Sequence, residues 1–152
     1  MGGDGERSMP FMIASTQAQE YAASAHSYAD EGNYQKSIDY FTRAVKLYPQ
    51  ADTYLNRGVA YHWLGQHERA IQDYDEAIRL DPQYEDAYYN RGVAYRDLGQ
   101  YERAIQDLDE AIRLDPKDAW NYSARGSAYS NLGQYERAIQ DYDEAIRLDP
   151  KD

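Results

Sequence analysis

The sequence predicts an all-α chain, a solenoid built from four helix-turn-helix units. Three observations carry that expectation. The run GQYERAIQDYDEAIRLDP at Gly133–Pro150 recurs at Gly99–Pro116 with only Leu108 for Tyr142, and at Gly65–Pro82 with only His67 for Tyr135. A weaker copy, GNYQKSIDYFTRAVKLYP, occupies Gly32–Pro49, and the last three copies start 34 residues apart. Repetition at that period marks a stacked array, because one short unit cannot bury its apolar face alone. Second, apolar residues inside each unit fall at helical spacing. Third, glycine and proline stand at fixed places between the helical runs.

In chain order, residues 1–17 are aperiodic and read as an N-terminal extension or a cloning-derived tail. Within them, Met9-Pro10-Phe11-Met12-Ile13 is expected to be extended, since proline disfavours helix at the residue before it. Helices are expected near 18–31, 34–48, 52–64, 68–80, 86–98, 102–114, 120–132 and 136–148, pairing into repeats 18–50, 51–84, 85–118 and 119–152. The first helix of a pair (the A helix) carries Tyr88, Arg91, Gly92, Tyr95 and Leu98 on one face. The second (the B helix) carries Tyr101, Ala104, Ile105, Leu108, Ala111 and Ile112 on one face for the same reason.

Gly65, Gly99 and Gly133 stand where an A helix must end, and glycine takes the left-handed conformation there without a Cβ clash. Asp81-Pro82, Asp115-Pro116 and Asp149-Pro150 stop each B helix, because proline lacks the next backbone donor. Gly58, Gly92 and Gly126 lie inside A helices, at a cost of about 1 kcal/mol each relative to alanine. A glycine repeated at such a place implies close helix approach, with Ala70, Ala104 and Ala138 as the facing residues.

The pattern Tyr88-x-x-Arg91-Gly92-x-x-Tyr95, followed by Gly99, Tyr101, Ala104, Ala111 and Pro116, resembles the tetratricopeptide repeat (TPR). Asn56-Arg57-Gly58-x-x-Tyr61 and Ala124-Arg125-Gly126-x-x-Tyr129 match equally well, and the resemblance covers Ala18 to Asp152. It implies a right-handed α-α superhelix whose A helices line a concave groove for an extended or helical peptide. By register the groove would show Gln19, Ala22, His26 and Asp30 from the first repeat, and Asp52, Leu55, Val59, His62 and Trp63 from the second. The third would add Asp86, Tyr89, Val93, Arg96 and Asp97, and the fourth Trp120, Ser123, Ser127, Ser130 and Asn131.

The B helices of repeats two to four are nearly identical, whereas the A helices differ, and both tryptophans fall on the A helices. Trp63, Tyr89 and Trp120 are therefore the candidate anchors, as aromatic residues commonly dominate interface energies. With Asp52, Asp86 and Asp97 beside them, the expected ligand is an apolar or mildly basic segment. TPR modules that grip C-terminal carboxylates of chaperone tails use Lys and Asn on one A helix, Asn on the next, then Lys and Arg. Those places hold Ala22, His26, Asn56, Asp86 and Asn90 in one frame, and Leu55, Val59, Asn90, Trp120 and Ala124 in the other. Only the middle asparagine is kept in either frame, so such a grip is not expected.

Composition narrows the function classes. The formal net charge is −11, with 27 acidic residues against 16 basic, which argues against a nucleic-acid partner that needs clustered cations. There is no cysteine, so no thiolate or disulfide chemistry is open to the chain. No apolar run reaches the ~20 residues of a membrane span. The N-terminus has Asp4 and Glu6 in place of a basic signal-peptide start, so a cytoplasmic location is expected. Hydrophobic contacts fall to the alanines and the seventeen tyrosines.

Catalytic or metal chemistry finds no sequence support. His26, His62 and His67 show no metal-ligand spacing, and Asp73-x-Asp75-Glu76 runs on into a helix instead of forming a calcium loop. Arg57, Arg91 and Arg125 interrupt the apolar stripe of the A helices. Their repetition favours a structural role, with stems on the core and guanidinium groups paired to an aspartate of a B helix. No cofactor and no enzymatic activity are expected. The expected function is a non-catalytic protein-interaction module.

The alternative is a self-assembling array. The last B helix would expose Ile139, Tyr142 and Ile146, the residues that earlier repeats bury against a following A helix. At the other end Tyr21, Ala25 and Tyr28 would open the stack, partly covered by Met9–Ile13. Such faces could join copies into a homo-oligomer.

Overall fold

In the computed structural model, residues 5–150 are described, with side chains from residue 10 onward. Eight helices, and no strand among the described residues, follow one another: α1 (Gly5–Asp30), α2 (Tyr34–Leu47), α3 (Ala51–Trp63), α4 (His67–Leu80), α5 (Glu85–Asp97), α6 (Tyr101–Leu114), α7 (Ala119–Asn131) and α8 (Tyr135–Leu148). From α2 onward every boundary lies within one residue of the position that periodicity and punctuation predict. Each helix packs on the next, and α3 also touches α5 as α5 touches α7. That is the contact pattern of an α-α solenoid.

Local chemistry explains the turns. Gly99 has φ +76 after α5, the Gly99 amide donates to the Arg96 carbonyl and the Gln100 amide donates to the Tyr95 carbonyl. This closes the helix end in a Schellman-type turn that a Cβ would strain. After α4 the chain turns at Asp81-Pro82, and the Tyr88 hydroxyl donates to the Pro82 carbonyl at 3.0 Å. Tyr122 does the same to Pro116 at 3.0 Å. In α5 and α7 a tyrosine thus satisfies a loop carbonyl that proline-induced helix termination leaves open.

Within a repeat the two helices meet at the internal glycines. A Cβ built on Gly58 would lie 2.6 Å from Tyr74 Cε1 and 3.2 Å from the Ala70 carbonyl oxygen. Gly92 meets Leu108 and the Ala104 carbonyl in the same way, and Gly126 meets Tyr142 and the Ala138 carbonyl. The close approach expected of these glycines is therefore present, with the large B-helix residue as well as the alanine carbonyl opposite. Around it Leu55, Ala70, Tyr74, Ala77, Ala87 and Ala94 form a core cluster.

The arginines of the apolar stripe are structural. Arg91 forks onto Asp107 of its own repeat, with Nε and Nη2 at 2.8 and 2.7 Å, while Nη1 reaches Asp75 of the preceding repeat at 2.8 Å. Arg125 repeats this on Asp141 and Asp109. Arg57 forks onto Asp73, but Thr42 replaces the second aspartate. Hydrogen bonding to Asp141 holds the Arg125 guanidinium above its ordinary pKa despite the opposing effect of burial. Each arginine ties together three helices in two repeats.

Two expectations about the N-terminal region are corrected. Residues 5–17 are helical, continuing α1 upstream in place of an extended Met9–Ile13. Pro10 lies inside α1, where its ring removes one backbone donor close to the helix start and little helix precedes it to be disrupted. Phe11 packs edge-on against Tyr48, with ring centroids 5.1 Å apart, which gives the upstream turns a tertiary contact. Nor do Tyr21, Ala25 and Tyr28 form an outward end. Ala25 is fully buried, and both tyrosine rings pack on Tyr40 of α2. These three occupy the intra-repeat face that Tyr54, Gly58 and Tyr61 hold one repeat later.

Candidate peptide-binding groove

Trp63 is the last residue of α3, and Trp120 stands in the first turn of α7. They are 64% and 65% exposed, a large apolar area left in solvent on the A-helix side. Trp63 is held from below by Tyr34 of the preceding B helix, the two rings stacked at 15° with centroids 6.2 Å apart. It forms the wall of a cavity of about 220 Å³ lined by His26, Asp30, Tyr34, Asn56 and Val59. A second cavity, of about 350 Å³, lies between repeats three and four and is lined by Tyr89, Arg96, Trp120, Ser123, Ser127 and Tyr142. Trp120 and Tyr142 also border a third, of about 270 Å³, with Ala145 and Ile146.

Two sets of the sequence-predicted groove residues thus come together, one at Val59 and Trp63, the other at Tyr89, Arg96, Trp120 and Ser127. Asp86 is exposed and Val93 half-buried, outside both cavities. Two residues differ from expectation. Leu55 is buried in the core cluster, so it backs the groove instead of lining it. The cause is that an A helix meets helices on two sides, and Leu55 sits where α3 faces α4 and α5. His62 turns away from the first cavity, and its Nε2 lies 3.6 Å from Asp97 Oδ2 while its ring meets that of His67 with centroids 4.9 Å apart. Burial lowers its pKa below the ordinary imidazole value, and the positive charge of Arg96 acts the same way against the opposing pull of Asp97.

Sequence reasoning missed a polar link between successive A helices. Asn121 is fully buried and donates to Glu85 Oε1 at 2.7 Å. Burial pushes the Glu85 carboxyl up to about 7, and the neighbouring Asp86 adds to the rise. Tyr89 has its phenol raised as well, again by burial first. The signal for the link was the polar Asn121 at the place where repeats two and three carry Thr53 and Ala87. Tyr34, a wall of the first cavity, was legible only as a B-helix start.

Comparison with known proteins fixes the class. Tetratricopeptide repeat profiles match residues 18–51, 85–118 and 119–152, and a TPR repeat profile matches 60–96. The chain belongs to the tetratricopeptide repeat family. Among curated relatives, the heat-shock protein cognate co-chaperone sgt12 of Aspergillus fumigatus is 38% identical over 86 residues, 48% of this chain and 25% of the relative. The small glutamine-rich tetratricopeptide repeat-containing protein 2 of Mycosarcoma maydis is 31% identical over 68 residues, 44% of this chain and 19% of the relative. The chain therefore spans a quarter or less of the length of these relatives. Among solved structures, MamA superposes with a TM-score of 0.82 at 26% identity, covering 88% of this chain and 79% of that one. The second TPR of Spaghetti (RPAP3), bound to the HSP90 peptide SRMEEVD, gives 0.64 at 33% identity over 66% of this chain and 93% of that one. No helix among the described residues is long and apolar enough to cross a membrane.

Proposed function

We propose that this chain is a non-catalytic interaction module that takes a partner's extended segment along the A-helix face, with Trp63 and Trp120 as its two anchors. The observation that carries this is the pair of tryptophans left about two-thirds exposed, each at the wall of a cavity, on the helices that vary between repeats. Large exposed aromatic surface is costly in water and is the usual mark of a contact site. Peptide capture by the Spaghetti TPR supports the reading at the level of class. The acidic HSP90-type tail fits poorly here, because Asp86 and Trp120 occupy places where a carboxylate grip needs lysine. Apolar or mildly basic segments suit the negative surface better.

Selection of phage-displayed peptides on the wild-type chain, followed by titration with the selected sequences, tests this. Trp63→Ala and Trp120→Ala are each expected to weaken binding by about 2 kcal/mol, roughly thirtyfold. Peptides that bind the double variant as well as the wild type, without moving tryptophan fluorescence, would contradict the groove assignment.

The second reading is self-association through α8, favoured by the exposure of Ile139, Tyr142 and Ile146 on one face. Light scattering over a hundredfold concentration range separates the two. A rising mass that Ile146→Glu abolishes supports self-association, and a constant monomer mass removes it.

A further inference from the structure

The histidines, which show no ligand spacing in the sequence, converge in the fold. One ligand atom each from His62 at the end of α3, His67 at the start of α4 and Asp97 at the end of α5 lie within 4.8 Å of one another. We propose that these three side chains form a binding site for a divalent transition ion, Zn²⁺ above all, that clasps repeat two to repeat three beside the Trp63 anchor.

Four observations support it. The donor set is two imidazoles and a carboxylate, which suits Zn²⁺ and leaves one tetrahedral position for water. His62 faces Asp97 through Nε2, and the Nδ1 atoms of His62 and His67 are buried with no hydrogen-bond partner in the protein, so no competing hydrogen bond through Nδ1 fixes either ring. Asp97 is already oriented, because its Oδ1 accepts from Arg96 Nη2 at 3.1 Å while Oδ2 faces His62 at 3.6 Å. Finally, the residues break the repeat in concert. His67 is the single departure of α4 from the sequence of α8, and repeats three and four hold Arg96 and Ser130 in place of His62. The position of Asp97 is Trp63 in repeat two and Asn131 in repeat four. Only the junction of repeats two and three holds all three donors.

The geometry requires a modest closure. Donors around a tetrahedral Zn²⁺ sit about 3.3 Å apart, given bonds near 2.0–2.1 Å. The His62–Asp97 pair is close to that separation, and His67, half-buried in the first turn of its helix, is the side chain that must swing in. The Arg96 guanidinium nearby opposes a cation, but its charge is taken up by Asp97, leaving the imidazoles to do most of the binding. Because the ligands come from three helices, an ion there would fasten α3, α4 and α5 at one edge of the groove.

Zn²⁺ titration of the tag-free chain at neutral pH, in competition with a chromophoric chelator, tests the site. The substitutions can be borrowed from sister repeats, so that folding is retained: His62→Ser, His67→Tyr and Asp97→Asn. One equivalent of Zn²⁺ should bind to the wild type, and each substitution should weaken it by about tenfold or more. Glu144→Gln, on α8 in the fourth repeat, should leave Zn²⁺ binding unchanged. Cu²⁺, a fluorescence quencher, should extinguish Trp63 in a Trp120→Phe background at the same stoichiometry, since the His62 and Trp63 rings are 6.0 Å apart. Absence of saturable one-to-one binding, or equal affinity in the His67→Tyr and Asp97→Asn variants, would overturn the proposal.

Discussion

Helices α4 and α8 have the same sequence apart from His67 and Tyr135, yet they live in different surroundings. In α4, Tyr74 is 1% exposed, wedged between Gly58 and the following helix α5. Its counterpart Tyr142 in α8 touches Gly126 on one side but is 37% exposed on the other. Ile71 and Ile78 are half-buried, whereas Ile139 and Ile146 are open to solvent. Identical residues thus bring different stability, because burial in a solenoid is a property of the junction and not of the repeat. Each unit supplies one adhesive face and depends on a neighbour to use it.

The largest expected break in this symmetry comes from the tyrosines. Tyr74→Ala should cost about 4 kcal/mol, the range of buried aromatic truncations, and Tyr142→Ala only about 1 kcal/mol. Urea unfolding followed by circular dichroism checks the difference, and equal losses would mean that α8 is covered in solution.

Next come the charged ties. Arg91→Ala strands the buried Asp107 carboxylate and should cost about 3 kcal/mol, as removal of one partner from a buried pair does. The exposed Glu144–Arg147 pair on α8 is the contrasting case, and Arg147→Ala should leave the unfolding midpoint where it was.

The glycines sharpen the comparison further. A methyl on Gly58 meets a Tyr74 ring that has nowhere to go, so Gly58→Ala should lose a net of about 1–2 kcal/mol after the gain in helix propensity. At Gly126 the same methyl meets Tyr142 Cε1 at 3.0 Å, and that ring can swing outward. The Ala138 carbonyl, 3.2 Å from that methyl, stays in place as the Ala70 carbonyl does at Gly58. Gly126→Ala is therefore expected to lose less than Gly58→Ala in the same assay, without becoming stabilising.

The last contrast is one of pH. Glu85 ionises near its ordinary 4.5 in the unfolded chain but only near about 7 beside Asn121 and Asp86. Between those values the folded chain holds more protons than the unfolded one, so stability falls as pH rises, and above about 7 the whole cost is present. Glu85→Gln should flatten that slope. Urea midpoints at pH 5 and pH 8 read it as a gap between variant and wild type that widens with pH.

The sequence alone determined the helices, their pairing and the repeat junctions. Those signals are local: a 3.6-residue apolar rhythm, glycine where φ must be positive, proline where a helix must stop. The arginine ties were legible for a related reason, since a charge repeated within an apolar stripe must find a partner at a repeated place. Tertiary structure alone decided the rest. The convergence of His62, His67 and Asp97 joins residues from three helices, and the Glu85–Asn121 link crosses a whole repeat. Neither has a short-range pattern to betray it. The helical course of residues 5–17 gains the Phe11–Tyr48 contact, against a proline rule that sees only the neighbouring residue. Leu55 and Tyr142 make the same point from opposite sides. One was placed in the groove and is buried, the other repeats a core tyrosine and is partly exposed, because accessibility is set by what packs alongside.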